Sequence, residues 1–189
     1  MDARTRVVLL QHPREARLAI CSAWLTRLSL VNAELHRGVS FQDHPEVRAW
    51  AAEPGAALLF PGPGSTPAGA WPGPPPRVLF AVDGTWHQAE KMLRLTPALA
   101  ALPRIGVDAG RPSGYTGLRR EPGAEHLSTL EAVALALSAL ERDPERFRPM
   151  IEAFHRSVAL QLACARGPER RARHRPSRAA PPGVTTRGR

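Results

Sequence analysis

A chain of 189 residues with 43% apolar composition suits one compact domain with a single sizeable core. Its formal charge of +9 is uneven: residues 166–189 hold eight arginines against Glu169 alone, a local +7. Only two cysteines occur, far apart, which excludes a Cys-x-x-Cys zinc or redox pair, and no apolar run is long enough to span a membrane. Cys21 and Cys164 are expected to be buried thiols in a cytoplasmic protein, and no metal is expected.

Along the chain, Arg6 to Gln11 reads as a buried strand, broken at His12-Pro13, with a helix from about Arg14 to Leu30 whose apolar face is Leu18, Cys21, Leu25 and Leu28. A second helix is predicted over Pro45 to Ala52 and a strand over Ala56 to Phe60, followed by a Pro/Gly-rich loop from Pro61 to Pro76. Loops of that length inside a domain tend to be functional or disordered. Arg77 to Val82 is the clearest strand, running into Asp83-Gly84-Thr85-Trp86 and a helix to about Leu95, with Thr85 and Gln88 spaced as a capping box. Arg104 to Asp108 is a further strand; Ser128-Thr129-Leu130-Glu131 opens an apolar helix to about Arg142, and Pro144 starts an amphipathic helix to about Arg166. Strands alternating with helices predict an α/β fold, a single domain with a largely parallel sheet.

Ligands of such sheets gather beyond the carboxyl ends of the strands. The loops after Gln11, Phe60 and Val82 fit that rule. The third places a carboxylate, a flexible glycine, a capping hydroxyl and a large aromatic within four residues. A turn, a cap and a core tryptophan explain most of it, yet capping does not require Trp86. Glu131 is equally well read as half of a capping box. Tyr115, Arg119 and Arg120 are suited to stacking on a base and gripping phosphate, although exposed arginines are commonly only solvated. His12 and His87 have no nucleophile partner in view, and neither a P-loop nor a Gly-x-Gly-x-x-Gly turn follows any strand. The Arg-rich segment reads first as solvated and disordered, and second as an RNA contact.

The ordered set Gln11-His12-Pro13-x-Glu15, Leu58-Leu59-Phe60-Pro61, Asp83-Gly84-Thr85-Trp86-x-Gln88-Ala89, Tyr115 with Arg119-Arg120, and Leu127-Ser128-Thr129-Leu130-Glu131-Ala132 resembles the DTW-domain family. The likeness spans roughly residues 6 to 142. Many members carry a cysteine cluster suited to zinc ahead of the first strand, whereas this sequence starts directly at that strand. The resemblance implies a SPOUT-like knotted fold over residues 1–165, the Arg-rich tail at 166–189, and transfer of the 3-amino-3-carboxypropyl group of S-adenosylmethionine to N3 of a tRNA uridine. Uridine N3 attacks poorly while it keeps its proton, so Asp83 is the expected catalytic base, or else the partner of the cofactor's ammonium, with Pro61, Gly62, Gly84, Thr85, Trp86, Ser128, Thr129 and Glu131 expected at the S-adenosylmethionine. His12, Glu15, Tyr115, Arg119 and Arg120 would face RNA. The alternatives on the same residues are a SPOUT-type RNA methyltransferase and a non-catalytic RNA-binding protein.

Overall fold

A computed structural model describes residues 1–17, 21–107 and 127–166. Its centre is strand β1 (Arg6–Gln11), whose apolar run Val7 to Leu10 is buried because the strand has a neighbour on each edge and helices on both faces. One neighbour is β2 (Ala33–Arg37) and the other β5 (Val78–Asp83). Beyond β5 lie β3 (Ala56–Leu59), β6 (Arg104–Gly106) and β4 (Thr66–Pro67), giving a six-stranded sheet in the order β2-β1-β5-β3-β6-β4. Every pairing is parallel.

Alternation along the strands builds two cores. Val7, Leu9, Leu79, Ala81, Ala57 and Leu59 face α1 (Ser22–Ser29), α5 (Thr129–Leu140) and α6 (Arg148–Arg166). Val8, Leu10, Leu58 and Phe80 meet α2 (Pro45–Ala51), α3 (Trp86–Arg94) and α4 (Pro97–Ala100) through Val47, Met92, Leu93 and Leu99. The apolar composition of α5 follows from its place between the sheet, α1 and α6, where Leu130, Val133, Ala134, Ala136 and Leu137 are all buried.

Adjacent strands β1 and β5 therefore send the chain to opposite faces, β1 toward α1 and β5 toward α3. That divergence makes their carboxyl ends the topological switch point of the sheet, the position where parallel sheets receive ligands.

Several sequence expectations change. The single helix predicted from Arg14 to Leu30 is instead a short 3-10 turn at Glu15–Arg17 and α1. Leu18 lies outside the described residues. The buried residues of α1 are Ser22, Ala23 and Thr26, and Leu25 of the expected apolar face packs partly buried against the core, while Leu28 is 63% exposed. The cysteines are not buried: Cys21 is half-buried and its sulfur accepts from Trp24 N–H as the cap, and Cys164 is exposed on α6. Strand β2, rich in polar residues, is an addition to the expected strands, since its residues gain order only by pairing with β1. The Pro/Gly loop contains β4 and a 3-10 turn at Ala68–Ala70, and α4 is an additional short helix begun by Pro97. The last helix starts at Arg148 instead of Pro144.

Candidate functional site

Gln11 and Asp83 are register partners at the last positions of β1 and β5, so their side chains meet at the switch point. Gln11 Nε2 donates to Asp83 Oδ2 at 2.8 Å, and Gln11 Oε1 accepts from Arg37 Nε at 3.1 Å. The other Asp83 oxygen accepts from Thr129 Oγ1 at 2.6 Å and from Ser22 Oγ at 3.5 Å. One carboxylate at 7% exposure thus ties together β1, β5, α1 and the first turn of α5. A buried charge is tolerated only with such partners, and the amino end of α5 adds a favourable dipole.

The turn after Asp83 is shaped by its neighbours. Thr85 accepts from Gln88 N–H, and Gln88 Oε1 accepts from Thr85 N–H at 2.8 Å, completing the expected capping box. This folds the Gln88 side chain over Gly84, where a Cβ would lie 3.1 Å from Gln88 Cβ and 3.6 Å from His12 Cβ. A side chain there would fit only if Gln88 shifted by a few tenths of an ångström. His12 N–H donates to Asp83 O at 2.8 Å, which latches the loop after β1 to the end of β5.

Trp86 begins α3 and is 42% exposed, its ring edge-on to Phe60 at 5.4 Å between centroids. A core role does not account for it. Through this contact the loop after β3 joins the same end of the sheet. Pro61 to Gly64 are exposed there, and Gly62 and Gly64 take φ values of 142° and 79°, with open space where a Cβ would stand. At α5, Ser128 and Glu131 form a second capping box; both are buried, and Glu131 also pairs with His155 Nε2 at 3.0 Å.

The structure thus brings together Asp83, Gly84, Thr85, Trp86, Ser128, Thr129 and Glu131, with Pro61 and Gly62 on an adjoining exposed loop and His12 against Gly84. Glu15 is buried beneath the His12 loop, a position suited to shaping that loop. Tyr115, Arg119 and Arg120 lie outside the described residues. His12 has its pKa lowered, first by burial and then by the Arg14 charge, and its Nδ1 accepts from Arg14 N–H, so the neutral ring carries its proton on Nε2. Gln11 opens the first motif of the resemblance, which implies no role for it, and Ser22 and Arg37 join the site without having been singled out by the sequence. A polar residue closing an apolar strand is a signal for Gln11; Ser22 and Arg37 carry none, since only helix packing brings Ser22 to Asp83 and only strand pairing brings Arg37 to Gln11.

Thr129→Val keeps the shape and deletes a charge-assisted hydrogen bond to a buried carboxylate, so it should cost about 1.5–3 kcal/mol in urea unfolding. A loss below about 0.5 kcal/mol would show that the Thr129 contact is energetically idle.

This is an α/β domain whose parallel sheet has a topological switch point at the ends of β1 and β5, where a capped helix meets a buried acid. The DTW domain profile matches residues 1–162, and the chain belongs to that family. It is 30% identical over 170 residues to tRNA-uridine aminocarboxypropyltransferase 2 of Drosophila melanogaster, covering 84% of this chain and 65% of that protein. It is 27% identical to tRNA-uridine aminocarboxypropyltransferase A of Arabidopsis thaliana, covering 85% of this chain and 72% of that one. Against tRNA-uridine aminocarboxypropyltransferase 2 of Macaca fascicularis the identity is 26%, over 84% of this chain and 55% of the relative. The chain therefore spans between about half and three quarters of the length of these relatives. No solved structure matches it. No helix among the described residues is long and apolar enough to cross a membrane.

Proposed function

We propose that this chain is a transferase that moves the 3-amino-3-carboxypropyl group of S-adenosylmethionine to N3 of a uridine in tRNA, in the cytoplasm, releasing methylthioadenosine. The observation that carries this reading is the position of the family's Asp83-Gly84-Thr85-Trp86 element at the β1/β5 switch point, against the first turn of α5. The names of the relatives supply the reaction class and the RNA.

The residues fit the donor by their chemistry. The open loop at Pro61 and Gly62 leaves backbone amides approachable, Trp86 with Phe60 offers an apolar aromatic wall, and Gly84, Thr85, Ser128, Thr129 and Glu131 line the capped turns beside it. When bound, S-adenosylmethionine supplies a sulfonium that activates three carbons; the N3–C bond forms as the C–S bond to the aminocarboxypropyl chain breaks. Which carbon reacts is set by orientation. The Trp86 wall is assigned to shelter the methyl group and leave the amino acid chain toward RNA.

Uridine N3 must lose its proton, and Asp83 is the acid residue at the site's centre. Gln11 donates to its Oδ2, and Thr129 and Ser22 both to its Oδ1, so a lone pair on Oδ2 is the place for either the uridine proton or an N–H of the cofactor's ammonium. His12, Glu15, Tyr115, Arg119 and Arg120 are assigned to the tRNA side, His12 by direct contact and Glu15 by supporting its loop. Residues 1–165 would carry the catalytic domain, with a SPOUT-like knotted course, and the arginines of 166–189 would remain a solvated segment able to meet phosphate.

The test is incubation with bulk tRNA and labelled S-adenosylmethionine, followed by mass spectrometry of the nucleosides. Aminocarboxypropyl-uridine with methylthioadenosine is expected. Adenosylhomocysteine with a methylated base would replace the reading by methyl transfer. RNA binding without any binding of the cofactor would replace it by a non-catalytic role.

A further inference from the structure

Away from the switch point, on the outer edge of the sheet, β2 and the start of α2 bring His36, His44 and Glu46 together. One ligand-capable atom from each lies within 4.8 Å of the other two. We propose that these two histidines and one carboxylate form a divalent transition-metal site, best suited to zinc.

The hydrogen bonding prepares the right nitrogens. His36 Nε2 faces Glu34 Oε2 at 3.4 Å, which places its proton on that side and leaves the Nδ1 lone pair toward Glu46 Oε2 at 3.8 Å. A carboxylate behind a ligating imidazole is the usual outer-shell arrangement, fixing both tautomer and ring plane. Glu34 is itself held by Trp50 Nε1 at 3.0 Å and by Arg6, which neutralises a cation that would otherwise oppose the metal. His44 uses Nδ1 to cap α2 by accepting from Val47 N–H, so its Nε2 is the coordinating atom. The two rings stand edge to face at 4.6 Å between centroids.

Zinc–nitrogen bonds of about 2.0–2.1 Å in a tetrahedron separate neighbouring ligand atoms by roughly 3.3 Å. The cluster must therefore tighten modestly. Glu46 can supply that movement, because its side chain is 66% exposed and free to turn. Three protein ligands leave a fourth position for water. The bound ion would clamp the edge strand β2 to α2. Through Arg37, the residue after His36, it would steady Gln11 and hence Asp83.

The full chain, stripped with a chelator, would be titrated with Co2+ followed optically and with Zn2+ followed by calorimetry. One equivalent should bind, with the visible bands of a tetrahedral nitrogen and oxygen site, no thiolate charge transfer, and a melting temperature that rises with free metal. His36→Ala and His44→Ala should each weaken binding more than about 100-fold, and Glu34→Gln about 10–100-fold. Glu46→Gln, an exposed change that leaves the fold intact, should weaken it at least about 10-fold and guards against loss of binding through unfolding. No saturable binding, a thiolate band pointing to Cys21 or Cys164, or equal affinity in Glu46→Gln and His44→Ala to that of the parent would overturn the site.

Discussion

Asp83→Asn should abolish turnover and destabilise the fold together. The new amide can keep its partners by turning its oxygen to Gln11 Nε2 and its nitrogen to the Thr129 and Ser22 hydroxyls, which accept as readily as they donate. What is lost is the charge assistance, so the Gln11 and Thr129 bonds each drop to roughly half their strength. The sum is about 1–3 kcal/mol, or a melting temperature lower by roughly 2–12 °C for a chain of this size. Turnover should fall at least about 100-fold. Cofactor affinity measured by calorimetry separates the two assignments: retained affinity with lost turnover favours the base, lost affinity favours ammonium binding. Wild-type turnover with a wild-type melting temperature would remove Asp83 from both the chemistry and the network.

Phe80→Ala should produce the largest loss of stability among single truncations in the second core. Phe80 is fully buried on the central strand β5, in one cluster with Val8, Leu10, Leu58 and Met92. Removing a buried ring leaves a cavity that a close-packed interior fills only in part, at about 3–5 kcal/mol. Against a total stability of about 5–15 kcal/mol this approaches unfolding. Guanidinium unfolding should show a lower midpoint with an unchanged slope. Because Asp83 ends the same strand, activity should decline before global unfolding; full activity up to the new melting point would show the site to be independent of strand β5's packing. Trp24→Ala, on an exposed part of α1, should change stability by no more than about 0.5 kcal/mol.

The elements with strong local signals are legible in the sequence. The apolar run Val7 to Leu10, the strand before Asp83, both capping boxes and the apolar α5 stand where spacing and side-chain chemistry put them. The differences fall where local signals are weak. Strand β2 has too few apolar residues to announce itself, the start of α1 depends on a cysteine acting as its cap, and α4 is only four residues long.

At the site, sequence order is enough to single out Asp83, Thr85, Trp86 and Ser128, because strand ends and helix caps are local chemistry written over a few neighbouring residues. What joins them is not local. Gln11 reaches Asp83 across 72 positions, Ser22 across 61 and Thr129 across 46, and His36 meets Glu46 only because β2 pairs along β1 while α2 packs beside β3. Local propensity set which segments are strands and capped helices; long-range burial of two cores chose the strand order and the seats of α1 and α5, and these together decided which polar groups share a buried carboxylate.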